Sequence, residues 1–287
     1  MRQYVYIIDK SFDGWNIREY LEYFSLSKSK INTIINENKY YINYNQSDNV
    51  LHTNDVLLID DIFHENEVEP IYNSFYNVDV AYLDKNILVV DKPRNIIIHS
   101  DNPNEVTLDR IVAGIMIKNG FDSIPRHTSR LDKNTCGLVC YALDPLTFSK
   151  LNSDVESKTL KKTYYAIINK VLENKTGVID KPIGRDRHQN GKMIISPTGK
   201  PAKTFYKVLN SQKGFSILKV ELQNGRTHQI RLHLSSISAP IVGDDLYGSP
   251  IKKEMMLQCA IISLTNPVNK KNLTINVKNK LSLDRVL

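Results

Sequence analysis

The sequence predicts an α+β fold, a mixed and largely antiparallel sheet with flanking helices, preceded by a small α/β module. Three observations carry that prediction. Four strand-like runs, TYYAIINKV, TFYKVL, FSILKVEL and NLTINVK, occupy the second half of the chain. Helical patterns with recognisable caps lie among the earlier strands. The charge balance also changes near residue 70, which divides a chain of 287 residues into a small part and a large one.

The elements follow in order. Ile17, Tyr20, Leu21 and Phe24 form one face of a first short helix, and Ser27 caps a second whose apolar positions are Ile31, Ile34 and Ile35. The strands KYYIN and NDVLLI follow. Residues 1–64 are therefore expected to form the module and 65–77 a polar, acidic linker, leaving 78–287 as the main domain. ILVVDKP, Ile87 to Pro93, reads as a buried strand ending at a proline. Thr107 caps a helix with Leu108, Ile111, Val112 and Ile115 on one face and Gly120 at its stop. GLVCYAL is a strand, and Asp144-Pro145 opens the next helix with a cap followed by proline.

Composition narrows the function. No apolar run approaches the ~20 residues of a membrane span, and the N-terminus lacks a basic stretch leading into an apolar one, so a cytoplasmic protein without membrane contact is expected. Three cysteines, Cys136, Cys140 and Cys259, are too few and too odd in number for a disulfide framework. Cys136 and Cys140 lack the further ligands that a four-ligand metal site needs, and no metal is expected. The net charge of +7 is uneven. Residues 1–70 hold six Lys/Arg and twelve Asp/Glu, so 71–287 hold 32 against 19, a surplus of +13. That surplus suits a polyanionic substrate.

The segment SRLDKNTCGL, Ser129 to Leu138, sets one carboxylate, Asp132, after an Arg-Leu pair and before a turn. KKTYYAII follows from Lys161, then KPIGRDRHQNGKMIISPTGKPAKTFYKVL from Lys181 and NGRTHQIRLHLSSISAPIVGDDLYG from Asn224. With VAYLDKNILVVDKPRNIIIHS ahead of Asp132, this ordered set resembles the RluA/RluD family of RNA pseudouridine synthases over roughly residues 78 to 280. The resemblance implies isomerisation of uridine to pseudouridine in structured RNA, with large-subunit ribosomal RNA ahead of tRNA as substrate; the reaction gains no atom and requires no cofactor, and nothing in the sequence demands more than a monomer. The N-terminal module resembles the small RNA-binding module shared with a ribosomal protein and tyrosyl-tRNA synthetases. It lacks that module's usual glycines, and Lys28, Lys30 and Lys39 are its candidate basic face.

The isomerisation detaches the base from its sugar, turns it and rejoins it through carbon, so a single carboxylate can suffice. It can attack the sugar, attack the base or remove a sugar proton. By resemblance that carboxylate is Asp132. Burying a carboxylate disfavours its charged form, so a fixed cation must stand beside it. The resemblance makes that cation Arg231, which the helical pattern of Ile230, His233, Leu234 and Ile237 leaves off the packing face. It makes Tyr164 the stacking residue, with Tyr165 on the opposite strand face. Arg130 is implied to offset the cost of flipping the uridine out of its helix. Arg185, Arg187 and Lys192, in a loop or hairpin, and Arg226 are further candidates for RNA contact.

Two positions depart from the family pattern. Ser129 stands where His is common, and Cys136 where Ser is usual. His228 and His233, five residues apart, would diverge on a helix and are expected to be hydrogen-bonded structural residues. The rival readings are a non-catalytic RNA-binding or ribosome-assembly protein that kept the fold, and a tRNA-directed pseudouridine synthase.

Overall fold

A computed structural model describes residues 2–46, 49–72, 76 and 78–286 of the chain. The N-terminal unit comprises β1 (Gln3–Ile7), α1 (Ile17–Tyr23), α2 (Lys28–Asn36), β2 (Tyr40–Ile42) and β3 (Val56–Asp60). The main unit follows with β4 (Asp79–Leu83), β5 (Ile87–Lys92), α3 (Leu108–Lys118), β6 (Arg126–His127), β7 (Cys136–Ala142), α4 (Pro145–Glu156) and β8 (Lys161–Ile168). It continues through β9 (Thr176–Asp180), β10 (Ile183–Arg185), β11 (Met193–Ile195), β12 (Lys203–Gln212), β13 (Phe215–Leu222), α5 (Gln229–Ser235), β14 (Leu257–Thr265) and β15 (Asn272–Asn276).

The expected fold class is the one observed. Ten strands form a single sheet along the path β4-β5-β7-β14-β8-β13-β12-β9, with β15 added to β14 and β6 to β7. The pairing is mostly antiparallel, but β7 and β14 run parallel where Gln258 faces Cys136 and Cys259 faces Gly137. Gly137 is required there. Its φ is +112°, and a Cβ would overlap the Cys259 carbonyl. The caps read from the sequence also form: the side chains of Ser27, Thr107 and Asp144 accept from the N–H groups of Lys30, Arg110 and Thr147.

The first strand, β1, was not anticipated. In QYVYI both alternate sets are apolar or aromatic apart from Gln3, so the period of two is hidden, although Tyr4 and Tyr6 face inward and Val5 and Ile7 outward. β1 and β2 flank β3 in a three-stranded sheet.

The two units are packed together. Leu146 of α4 lies in the same apolar cluster as Phe12, Tyr20, Phe24 and Ile34 of the module. Lys270, in the β14–β15 turn, places its ammonium 4.4 Å from the ring centre of Phe12, 4.7 Å from Trp15 and 5.2 Å from Tyr23, and donates to the Ser11 carbonyl. On the other side, buried Arg126 bonds both carboxylate oxygens of Glu65 and also the Tyr4 hydroxyl. The segment assigned as a linker lies along α3, with Val68 donating to the Ser123 carbonyl and Ile71 to that of Arg110. Within 65–77, residues 73–75 and 77 fall outside the described residues.

Arg126 and α4 adjoin the C-terminal end of β7, whereas the Asp132 loop enters at its N-terminal end. The module's attachment is thus about 20 Å from that loop, at ~3.3 Å per residue of strand. No helix among the described residues is long and apolar enough to cross a membrane.

Candidate active site

Asp132 sits in the loop joining β6 to β7, a segment whose ends are pinned. Thr128 donates to the Cys140 carbonyl at 2.9 Å, and Thr135 to the Asp132 carbonyl at 3.0 Å. Beneath it lies Lys92, fully buried at the end of β5. Its ammonium donates to the carbonyls of Pro93 and Ile96 at 2.8 Å each and of Lys133 at 3.0 Å, which uses all three N–H bonds. Burial pulls the ammonium down to about 8, against the charges of Cys136 and Asp132, which favour protonation. Lys92 was not anticipated, although an Asp-Lys pair closing an apolar run was a visible signal. Lys92→Met strips three carbonyls of their donor, one of them adjacent to Asp132. We expect a stability loss of about 2–3 kcal/mol by thermal unfolding, together with reduced turnover in the folded protein.

α5 supplies Arg231. The sequence placed this arginine off the packing face, free to reach outward; the structure instead buries it, at 8% exposure. The reason is Asp244. Nε and Nη2 of Arg231 donate to the two Asp244 oxygens at 2.7 and 2.8 Å, and Nη1 reaches Asp132 Oδ2 at 3.0 Å. One guanidinium thus joins a buried carboxylate to a partly exposed one, using the planar fork that lysine lacks. Burial opposes its charge, but the Asp244 hydrogen bonds and the charges of Asp244 and Asp132 outweigh this and raise its pKa. Asp244 is delivered by the tight turn at Gly243, whose φ is +80° and where a Cβ would overlap the Glu254 backbone.

His228 is hydrogen-bonded, as expected, but it stands before the helix and beside Asp132. It precedes α5 with φ 55° and ψ 17°, a left-handed conformation, so helical spacing does not govern its direction. Its Nε2 lies 3.9 Å from Asp132 Oδ1, and its Nδ1 lies 2.9 Å from the Tyr247 hydroxyl, which accepts the Met193 N–H at 3.0 Å. The Arg231 guanidinium stands 5.1 Å from the Tyr247 ring centre. Burial lowers the pKa of His228, while Asp132 works to raise it. His233, by contrast, is bonded as expected of a structural residue, to the Thr204 hydroxyl at 2.8 Å and the Lys181 carbonyl at 2.9 Å.

Tyr164 is buried on β8, and the charge of Asp132 is felt at its hydroxyl. Burial, then Cys259 and Asp132, push that hydroxyl well above its ordinary value. Two residues earlier on the same strand, half-buried Lys162 donates to Ser129 Oγ. The residue that departs from the family pattern is thereby tied to the strand carrying Tyr164. Cys136, the second departure, is buried on β7 with its thiol pointed at the Leu257 carbonyl.

The candidate RNA-contacting residues divide by location. Arg130 is exposed, and has no hydrogen bond or ion pair with the described residues. The strands β10 and β11 form a two-stranded hairpin that brings Ile183, Met193 and Ile195 against Leu232 of α5 and Tyr247. Arg185 and Arg187 are exposed on this hairpin and Lys192 half-buried, and the hairpin meets the site through Met193, whose N–H bonds the Tyr247 hydroxyl. Arg226 is half-buried and donates to the Pro201 carbonyl. Lys28 and Lys30 belong to the distant module; Lys28 is exposed, whereas the Lys30 ammonium lies 4.6 Å from the Phe63 ring centre.

Comparison with known proteins gives concordant matches. The profile described as RNA pseudouridylate synthase matches residues 86–236, which include Asp132, Tyr164 and Arg231. An uncharacterised RNA pseudouridine synthase of Bacillus subtilis, YhcT, is 37% identical over 66% of this chain and 63% of its own. The ribosomal large subunit pseudouridine synthases D of Pseudomonas aeruginosa and Haemophilus influenzae are 34% and 31% identical, over 63% and 60% of this chain and 58% and 53% of theirs. The chain therefore spans between 53% and 63% of the length of these relatives. Among solved structures, human RNA pseudouridylate synthase domain containing 1 matches in fold with a TM-score of 0.61 at 22% identity, over 75% of this chain and 94% of that one.

Proposed function

This chain belongs to the RNA pseudouridylate synthase family, of the RluA/RluD type, and we propose that it isomerises specific uridines to pseudouridine in large-subunit ribosomal RNA. The observation that carries the catalytic part is the shared guanidinium of Arg231. It holds Asp132 beside a fixed cation while Asp244 takes up the rest of that cation's donors. In this reading Asp132 is the catalytic carboxylate, Arg231 its ion partner and Tyr164 the surface on which the extracted base stacks. Arg130, exposed two residues before Asp132, fills the space that the flipped uridine leaves. Arg185, Arg187 and Lys192 touch phosphates from the hairpin, and Arg226, held by its bond to the Pro201 carbonyl, is a further contact.

Residues 1–64 serve as an RNA-binding arm whose anchor lies about 20 Å from the site along β7, a position suited to a second stretch of a folded RNA. The names of the relatives of type D support ribosomal RNA over tRNA as substrate. The purified protein is tested on unmodified ribosomal RNA and tRNA carrying tritium at C5 of uridine. Tritium release from large-subunit RNA is the expected result. Release from tRNA alone would overturn the substrate, and release from neither would overturn the activity.

A further inference from the structure

The isomerisation leaves one proton to be accounted for. Once C1′ is bonded to C5 of the uracil, C5 carries both the sugar and its original hydrogen. The ring regains conjugation only when that hydrogen leaves as a proton, its C–H electron pair returning to the ring. N1, which lost its bond to the sugar, ends with a proton, so the reaction is balanced by carrying one proton from C5 and supplying one to N1. Some group at the site must accept the first.

The described surroundings of Asp132 offer few candidates. Arg231 holds a cation whose pKa is raised by two carboxylates, so it has no lone pair to give. Asp244 is 1% exposed and both its oxygens are occupied by that guanidinium. The Tyr164 hydroxyl is a poor acceptor of a full proton, being buried beside Cys259 and the charge of Asp132. Lys162 is bonded to Ser129 and Lys92 to three carbonyls, and both are donors. His228 differs from all of these. Its ring faces Asp132, its side chain is 15% exposed, and burial favours the neutral imidazole. The Tyr247 oxygen accepts the Met193 N–H and has a second lone pair for Nδ1–H of His228; that tautomer leaves Nε2 bare towards Asp132. A left-handed backbone at a residue other than glycine holds the ring there, which is a conformation that functional sites often retain.

We infer that His228 is a second catalytic residue, whose Nε2 takes the C5 proton of the rearranged uracil and releases it for return to N1. This rests on the proposed pseudouridine synthase activity. Asp132 is thereby freed from acting as the final base, and Tyr247 becomes a positioning residue that fixes the imidazole tautomer.

The test compares wild type with His228→Gln on RNA containing either ordinary or C5-deuterated uridine. His228→Gln should lower kcat by about a hundredfold, with little change in RNA affinity, and should show a normal primary deuterium isotope effect on turnover larger than that of wild type. Wild-type turnover should also fall as the pH drops through the His228 pKa, which burial sets below the ordinary imidazole value, because the protonated ring cannot accept; the variant should lose that limb. The groups facing the ring are Asp132, Arg231, Asp244 and Tyr247, and each is retained in the variant. Tyr247→Phe, which keeps the ring under Arg231, should lower kcat less and leave KM near the wild-type value. A His228→Gln enzyme with unchanged kcat, or with reduced kcat but an unchanged isotope effect, would overturn the inference. Absence of turnover in wild type would instead count against the activity itself.

Discussion

Asp132→Asn is expected to yield a folded protein whose turnover is reduced at least about a thousandfold, or ~4 kcal/mol of transition-state stabilisation. Asparagine keeps the volume of the side chain and one oxygen that can still accept from Arg231 Nη1, so the loop retains its contact. It lacks the negative charge and the nucleophilic or basic oxygen on which each mechanism open to the carboxylate depends. The fold should tolerate the change because Asp132 is 26% exposed in its side chain and Arg231 remains paired twice with Asp244. Release of tritium from C5-labelled ribosomal RNA, measured beside the thermal unfolding midpoint, separates the two effects. An unchanged midpoint with lost release is the expected pair of results. Substantial release by the variant would remove Asp132 from the catalytic role.

Local signals with a short physical range made much of the fold legible in the sequence. Ser27, Thr107 and the Asp144-Pro145 pair marked helix starts because a cap is decided by the few residues around it. Strands such as ILVVDKP were visible because β5 is buried along its whole length. β1 was not, since apart from Gln3 both of its faces are written in apolar or aromatic residues.

The site divides in the same way. Asp132, Arg231 and Tyr164 could be located from motifs, but their surroundings depend on contacts far apart in sequence. Arg231 was placed outward because its helix pattern alone left it unpacked, and only the return of the chain at Asp244 explains its burial. His228 was read as if α5 had already begun, whereas its φ of 55° turns the ring towards Asp132. Lys92 looked like the end of a strand, and its carbonyl partner at Lys133 is 41 residues away. Nothing in the pair Asp244-Asp245 distinguishes the two residues. The first is 1% exposed and bound to Arg231, while the second is exposed and meets Lys252.

Asp244 is therefore where stability and the proposed chemistry meet, and Asp244→Ala is expected to cost about 3–5 kcal/mol. Removing one member of a buried pair leaves the other's charge uncompensated, which is more damaging than losing the pair's net attraction. Arg231 would keep only its bond to Asp132, and two of its donors, Nε and Nη2, would face a cavity in a region with almost no solvent. Turnover should fall as well, because the guanidinium is then free to tilt onto Asp132 and engage the oxygens needed for reaction. Asp244→Asn separates these consequences: it fills the same volume and still accepts one bond, so its stability loss should be smaller. Its turnover should nevertheless remain well below wild type, since Arg231 would no longer divide its charge between two carboxylates. Chemical denaturation gives the first quantity and tritium release from the folded variants the second. Wild-type turnover in Asp244→Asn would show that Asp244 serves folding alone, and that the orientation of Arg231 is set by Asp132 and the Tyr247 ring without it.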